Sequence, residues 1–304
     1  MNKFNMQNVV VWIKSNRGNN FRYRGENPTA ENYLKLQVEN SLQLGWDKKD
    51  LIFITNFPFE YMGVRSFEVN EICSWSSFVN KLFVVDKMIK NGVINDNFWL
   101  HDADAYQLVS FNFPEECKNV GFTRHAPRRN KPQGGSSFYR KEAFEMISVI
   151  AQLIAFFRPQ KEELFFPLFY QKDSKGKLKS KYDRKLKECQ KKLSLSANDK
   201  ERSKYSDLIS FFSKGIEYSE KHFGGYANAF SWLDWTYDLF RVKHFDIKYA
   251  AASKPIKVLH FHPEYKSCYD CFCLGKNRHK IIPVTKKLMN LFEKYGFSGK
   301  DFEK

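Results

Sequence analysis

The sequence predicts an α/β fold: a sheet buried on both faces and flanked by helices. Three observations carry this. Asn8 to Lys14 (NVVVWIK) and Asp50 to Asn56 (DLIFITN) are short, continuous apolar runs, and a third ends at Phe98-Trp99-Leu100. Strands exposed on one face alternate, whereas continuous runs mark strands covered on both. Between these runs lie segments with helical spacing, as βαβ units require. At 304 residues, 42% hydrophobic and 17% aromatic, the chain can bury a substantial core.

The elements follow in order. Asn8 to Lys14 is the first strand, bounded by the polar stretch from Ser15 to Asn20. From Pro28 to Leu44, Tyr33, Leu34, Leu36, Val38, Leu42 and Leu44 recur near helical spacing, and Gly45 offers a stop. Asp50 to Asn56 is the second strand. Trp75 to Asn91 reads as an amphipathic helix ended by Asn91-Gly92, and it leads into the strand that finishes at Leu100. Asn119 to Thr123 reads as a strand, followed by a basic loop from Arg124 to Lys131. Gly134-Gly135 then reads as a turn into a strand or helix, and Lys141 to Phe157 as a helix. Leu208 to Phe212 and Phe230 to Val242 read as aromatic-rich helical segments. Ile256 to Phe261 is the last strand, and the tail from Cys268 shows no strong pattern.

Formal net charge is +16, and half of that surplus falls between Lys172 and Lys204, with 13 Lys or Arg against 5 Asp or Glu. This stretch reads as an exposed, partly helical insertion able to meet an anionic surface or partner. Excess positive charge attracts nucleic acid, anionic membranes and nucleotide phosphates alike. No signal peptide is visible and no run reaches the length of a membrane span, so the expectation is a soluble, cytoplasmic protein, with a peripheral place at a membrane surface as the alternative. Six Cys in 304 residues do not imply a disulfide scaffold.

Chemistry concentrates at His101-Asp102-Ala103-Asp104. If Phe98 to Leu100 end a buried strand, alternation puts the Asp102 and Asp104 side chains on the same side of the chain. Two carboxylates so close repel unless a positive charge lies between them, and Mn²⁺ or Mg²⁺ with the phosphates of a ligand supplies one. The pair follows a strand of an α/β sheet, at the edge where such sheets bind ligands. Gly134 and Gly135 would let backbone approach a ligand closely. A competing metal reading joins His260 and His262 to Cys268, Cys271 and Cys273 around Zn²⁺.

Two stretches together resemble one family. Trp99 to Asp104 is similar to the strand and Asp-x-Asp of GT-A fold, nucleotide-sugar-dependent glycosyltransferases. Val258-Leu259-His260-Phe261-His262-Pro263-Glu264-Tyr265-Lys266 resembles the carboxy-terminal element of their retaining, glycogenin-like group. Pro263 stands where that group usually has Gly, and Ser267-Cys268 where it has Pro-Trp. The resemblance implies a GT-A-like (Rossmann-like) mixed sheet flanked by helices, with residues 1–304 forming one catalytic domain. Its nucleotide-binding half would be 1–118, its acceptor-side half 119–266 with the basic insertion 172–204, and its tail 267–304. It implies metal ligation by Asp102, Asp104 and His260, with His262 an alternative ligand on the same strand face. Donor contacts would come from Asp102, Lys266, Val11, Lys14, Gly134 and Gly135.

Asp234, with Asp238 second, is the candidate for the carboxylate beside the reacting sugar carbon. The donor implied is a UDP-sugar, the acceptor a glycan, glycolipid or glycoprotein, and the outcome retention rather than inversion. The other functional classes compatible with charge and site are a nucleic-acid- or polyanion-binding protein and a metal-dependent nucleotidyltransferase or phosphohydrolase.

Overall fold

The computed structural model describes residues 4–14, 30–76, 79–126, 129–158, 177–223, 230–233, 235–238, 256–260 and 285–297. The α/β expectation holds, and the sheet is mixed. Its first half is built from β1 (Gln7–Trp12), β2 (Leu51–Thr55), the short β3 (Glu60–Tyr61), β4 (Val64–Glu68) and β5 (Phe98–His101). β7 (Val120–Ala126), β8 (Arg129–Tyr139) and β9 (Phe230–Trp232) extend it to eight strands in the order β3-β4-β2-β1-β5-β8-β7-β9. β4, β2, β1 and β5 run parallel, and β8 lies antiparallel to β5 and β7. A second, three-stranded sheet has the order β10-β11-β6, formed by β6 (Ala105–Gln107), β10 (Thr236–Asp238) and β11 (Val258–His260).

Alternate residues of the parallel strands feed two cores, as double-sided burial requires. Val10, Leu51, Phe53 and Trp99 face a core with Tyr33, Leu34, Leu36 and Val38 of α1 (Ala30–Leu44). Val9, Ile52, Ile54, Phe98 and Leu100 face the other, with Leu82 and Val85 of α2 (Asn80–Lys90) and Ile147 and Ile150 of α3 (Phe144–Phe157). α1 stops where the sequence places the stop. Gly45 takes φ of 95°, where a side chain would be strained, and the Trp46 N–H donates to the Ser41 carbonyl at 3.1 Å.

Several expectations are corrected. α2 begins at Asn80 rather than Trp75, because the Asn80 side chain binds the Cys73 backbone and accepts its N–H at 2.6 Å. Arg124 to Ala126 and Arg129 to Lys131 belong to a β-hairpin, not a loop; Pro127 and Arg128 lie outside the described residues. Phe230 to Trp232 and Thr236 to Asp238 are strands rather than helix, since both pair with neighbours through the backbone. Asp234 and residues 239–242 lie outside the described residues. The tail contains α6 (Lys286–Lys294), where Thr285 caps the first turn and Leu288, Leu291 and Phe292 enter the α1 core. It is fastened by Glu39 of α1, which accepts hydrogen bonds from Lys294, Tyr295 and Tyr61.

The insertion is helical from Lys177 to Leu195 and again from Asp199, as expected of a partly helical insertion, and residues 172–176 lie outside the described residues. It forms α4 (Lys177–Leu195) and the start of α5 (Asp199–Phe223), which pack as a hairpin with α5 resting on α3. Among the described residues no helix is long and apolar enough to cross a membrane.

β7 has no room for a side chain at Gly121. A Cβ there would stand 2.3 Å from Leu233 Cδ1 and 2.9 Å from its Cγ. Gly121→Ala is expected to lower the unfolding free energy by about 1–3 kcal/mol through overpacking, read as a lower urea midpoint with an unchanged slope.

Candidate metal and donor site

β1 is the point where strand order reverses. The chain lays β2 and β4 on one side of it, then returns to place β5 on the other. A crevice opens at such a reversal, at the carboxyl ends of the strands. Asp102 leaves β5 at that end.

The expectation that alternation aligns Asp102 and Asp104 is corrected. β5 ends at His101, and Asp102-Ala103-Asp104 is a tight turn closed by the Ala105 N–H donating to the Asp102 carbonyl at 3.0 Å. Backbone contacts fix this turn from three directions. The Asp102 N–H donates to the Gly135 carbonyl at 2.9 Å. Gln37 of α1 donates its amide hydrogens to the carbonyls of Ala103 at 2.7 Å and Ala105 at 2.9 Å. His101 places Nδ1 2.9 Å from the Asp102 carbonyl oxygen and Nε2 2.7 Å from Asn8 Oδ1, while its ring stacks on Trp99.

The turn leads straight into β6, and β6 explains why distant residues meet there. Its pairing with β11 sets Ala105 against His260, so a histidine 156 positions away arrives beside the turn. His260 Nε2 lies 3.1 Å from Asp104 Oδ1 and 3.6 Å from Asp102 Oδ2. Asp104 and His260 are each 7% exposed, whereas the Asp102 side chain keeps a third of its surface open. The cluster is thus buried on one side and accessible on the other.

One donor atom from each of the three residues lies within 4.8 Å of the others. Cis ligands about 2.1 Å from an octahedral ion sit about 3.0 Å apart, close to the His260–Asp104 separation. Two carboxylates and an imidazole are oxygen and borderline nitrogen donors, a set that fits Mn²⁺ or Mg²⁺ better than the thiolate-rich set of structural zinc.

A fourth residue was not foreseen. Lys81, in the first turn of α2, sets its ammonium 2.5 Å from Asp102 Oδ1 and 2.7 Å from the Gly134 carbonyl. Gly134 and Gly135 therefore meet the acidic turn through backbone oxygens. They sit where the β7/β8 register slips, with Phe122 opposite Ser137 and Thr123 opposite Gln133. They lie inside a strand, and not at a helix start.

The remaining sequence candidates divide. Val11 and Lys14 lie at the carboxyl end of β1. There the Lys14 backbone exchanges two hydrogen bonds with the Asn56 amide, and its ammonium sits over the Phe57 ring. Asp238 pairs through its backbone with His260. Asp234, His262, Lys266, Cys268, Cys271 and Cys273 lie outside the described residues. Lys81, Gln37 and His101 gave no signal of their own: two belong to predicted helices, and the third stood beside the acidic pair without a role.

No protein-family model and no curated protein matches this chain. Solved structures do. A glycosyltransferase involved in glycosylation of the major capsid of PBCV-1 matches at a TM-score of 0.32 and 12% identity, over 49% of this chain and 66% of that one. The galactosyltransferase LgtC, in complex with donor and acceptor sugar analogues, gives 0.38 and 9% over 94% and 100% of the two chains. Mouse xyloside xylosyltransferase 1 gives 0.34 and 10% over 84% and 97%. These neighbours are glycosyltransferases; with TM-scores this low, no residue role passes from them to this chain.

Gln37→Met keeps the volume and removes both donors. It should cost about 1–3 kcal/mol for the carbonyls left buried, measured by urea denaturation. His101 carries a pH signature. Burial drives its pKa from the usual 6.5 down to about 3, against smaller opposing contributions led by the Asp102 backbone. An unfolded chain binds a proton at this residue below about 6.5 while the folded one refuses it. Its stabilising contribution is therefore full above 6.5 and falls as pH drops toward 3. A His101→Gln variant should show a shallower loss of Tm across that window than the wild type.

Proposed function

We propose that this protein is a glycosyltransferase that moves a sugar from a nucleotide diphosphate donor, a UDP-sugar, to a glycan, glycolipid or glycoprotein acceptor. The observation that carries the reading is the convergence of Asp102, Asp104 and His260 at the strand-reversal edge of an α/β sheet. Asp102, Asp104 and His260 would hold Mn²⁺ or Mg²⁺. Bound there, the ion would supply positive charge to the diphosphate as the glycosidic bond breaks.

The chain's own groups have distinct tasks in this reading. Asp104, buried and held by His260, fixes the site; Asp102, more open, faces the donor. Lys81 contributes a second positive charge at the same edge, able to stabilise a departing phosphate. Val11, Lys14 and the backbone of Gly134 and Gly135 are assigned to the nucleotide and sugar. Lys266 is assigned to the diphosphate, and His262 is the alternative to His260. Asp238, whose backbone neighbours His260, and Asp234 are assigned to the reacting carbon, with retention of configuration.

The test is thermal stabilisation by UDP and GDP, each with Mn²⁺, Mg²⁺ or EDTA. A ligand at a hundred times its Kd stabilises by about 2.7 kcal/mol. A rise of several degrees with UDP and metal, absent with EDTA and absent in Asp104→Asn, is expected. Folded protein that responds to no nucleotide would overturn the reading.

A further inference from the structure

We propose that α4 is a docking surface for anionic phospholipid, presented by the α4–α5 hairpin. The charge surplus of the insertion is not shared by its two helices. α4 has eight Lys or Arg against two Asp or Glu, whereas α5 has five of each. One helix therefore carries a surplus of six within 19 residues.

Helical spacing sorts that charge onto one side. Arg184, Lys187 and Lys191 recur at three and four residues, and all are exposed. Leu186, Cys189 and Leu193 form the opposite stripe. Cys189 is 7% exposed and the two leucines are half-buried, as expected of the side turned to α5. Lys192 is tied down within the hairpin, bonded to Glu188 at 3.2 Å and lying over the Tyr205 ring of α5. The basic stripe is thus a surface built by the packing.

A solvated charged face alone would need no explanation. Leu195 does. It continues the basic stripe four residues after Lys191 and is 72% exposed, the highest value among the exposed large apolar side chains described. A large apolar group set among lysines, in water, suits the boundary between headgroups and acyl chains, where the ammoniums meet phosphate and the leucine leaves water. Clusters of four to eight basic residues on a helix bind acidic lipid.

Nucleic acid fits less well. Single strands are held by aromatic stacking beside a basic groove, and Arg184, Lys187, Lys191 and Leu195 offer no aromatic ring; for a duplex, bound non-specifically through its phosphates, an exposed leucine has no use. The proposal is independent of the donor-site reading. It would bring the protein to a bilayer by a reversible electrostatic contact.

The experiment is co-sedimentation of the full chain with phosphatidylcholine vesicles, with and without phosphatidylserine, across a salt series. Binding is expected only to the anionic vesicles, weakening as salt rises. Combining Arg184→Gln, Lys187→Gln and Lys191→Gln, substitutions that keep helix propensity, should lower the partition coefficient on the order of a hundredfold. Leu195→Ser should lower it further at high salt, where the charge contribution is screened. Both variants should keep the melting temperature and any nucleotide response of the wild type, which separates failure here from failure of the donor site.

Equal binding to neutral vesicles, no binding to anionic ones, or binding undiminished in the triple variant would overturn the proposal. So would binding of duplex RNA that depends on the same three charges and ignores Leu195, which would make α4 a nucleic-acid surface.

Discussion

Two carboxylates one residue apart, at the edge of a buried sheet, repel each other, and the surrounding structure is arranged to hold them there. Their backbone is fixed by Gln37, His101 and Gly135, so the turn cannot relax by swinging the side chains apart. Positive groups are brought from separate elements: Lys81 from the start of α2 and His260 from β11. Neither lies near the pair in sequence. Rigid neighbours of this kind keep two like charges together that would otherwise move apart.

That arrangement depends on topology more than on any single contact. β5 can deliver Asp102 to a crevice because the strand order reverses at β1, and the doubly buried sheet keeps β1 and β5 in fixed register. The second, small sheet has a different task. By pairing β6 with β11 it converts a separation of 156 residues into a hydrogen-bond distance. Slippage of β11 by one residue would turn His260 to the opposite face. The three-stranded sheet is therefore as much a part of the cluster as the three side chains.

How much of this the sequence discloses depends on whether a feature leaves a local pattern. Continuous apolar strands do, and β1, β2 and β5 lie where Asn8–Lys14, Asp50–Asn56 and Phe98–Leu100 predict them. The acidic pair and His260 were also legible, because their residue types carry chemistry that packing does not explain. Alternation failed at Asp102 and Asp104 because the strand stops one residue earlier and a turn takes over. β9 and β10 are three residues each, too short for a period of two to stand out in an aromatic run. Lys81 and Gln37 were invisible for another reason. What they bind is main-chain oxygen, and Lys81 also a carboxylate, at positions 21 to 68 residues away, and helix spacing accounts for both residues without those partners.

The same distinction separates the site from the net charge. A formal +16 invites a single explanation, yet its largest concentration stands on α4, whose packing partner is α5, while the acidic turn meets its positive charges locally. Lys81 is one cation among 50, but it is 2.5 Å from a carboxylate and mostly buried, where water screens little. The exposed lysines of α4 act together and at longer range, weakened by salt. Charge at the turn can select a ligand, and charge on α4 can only select a surface.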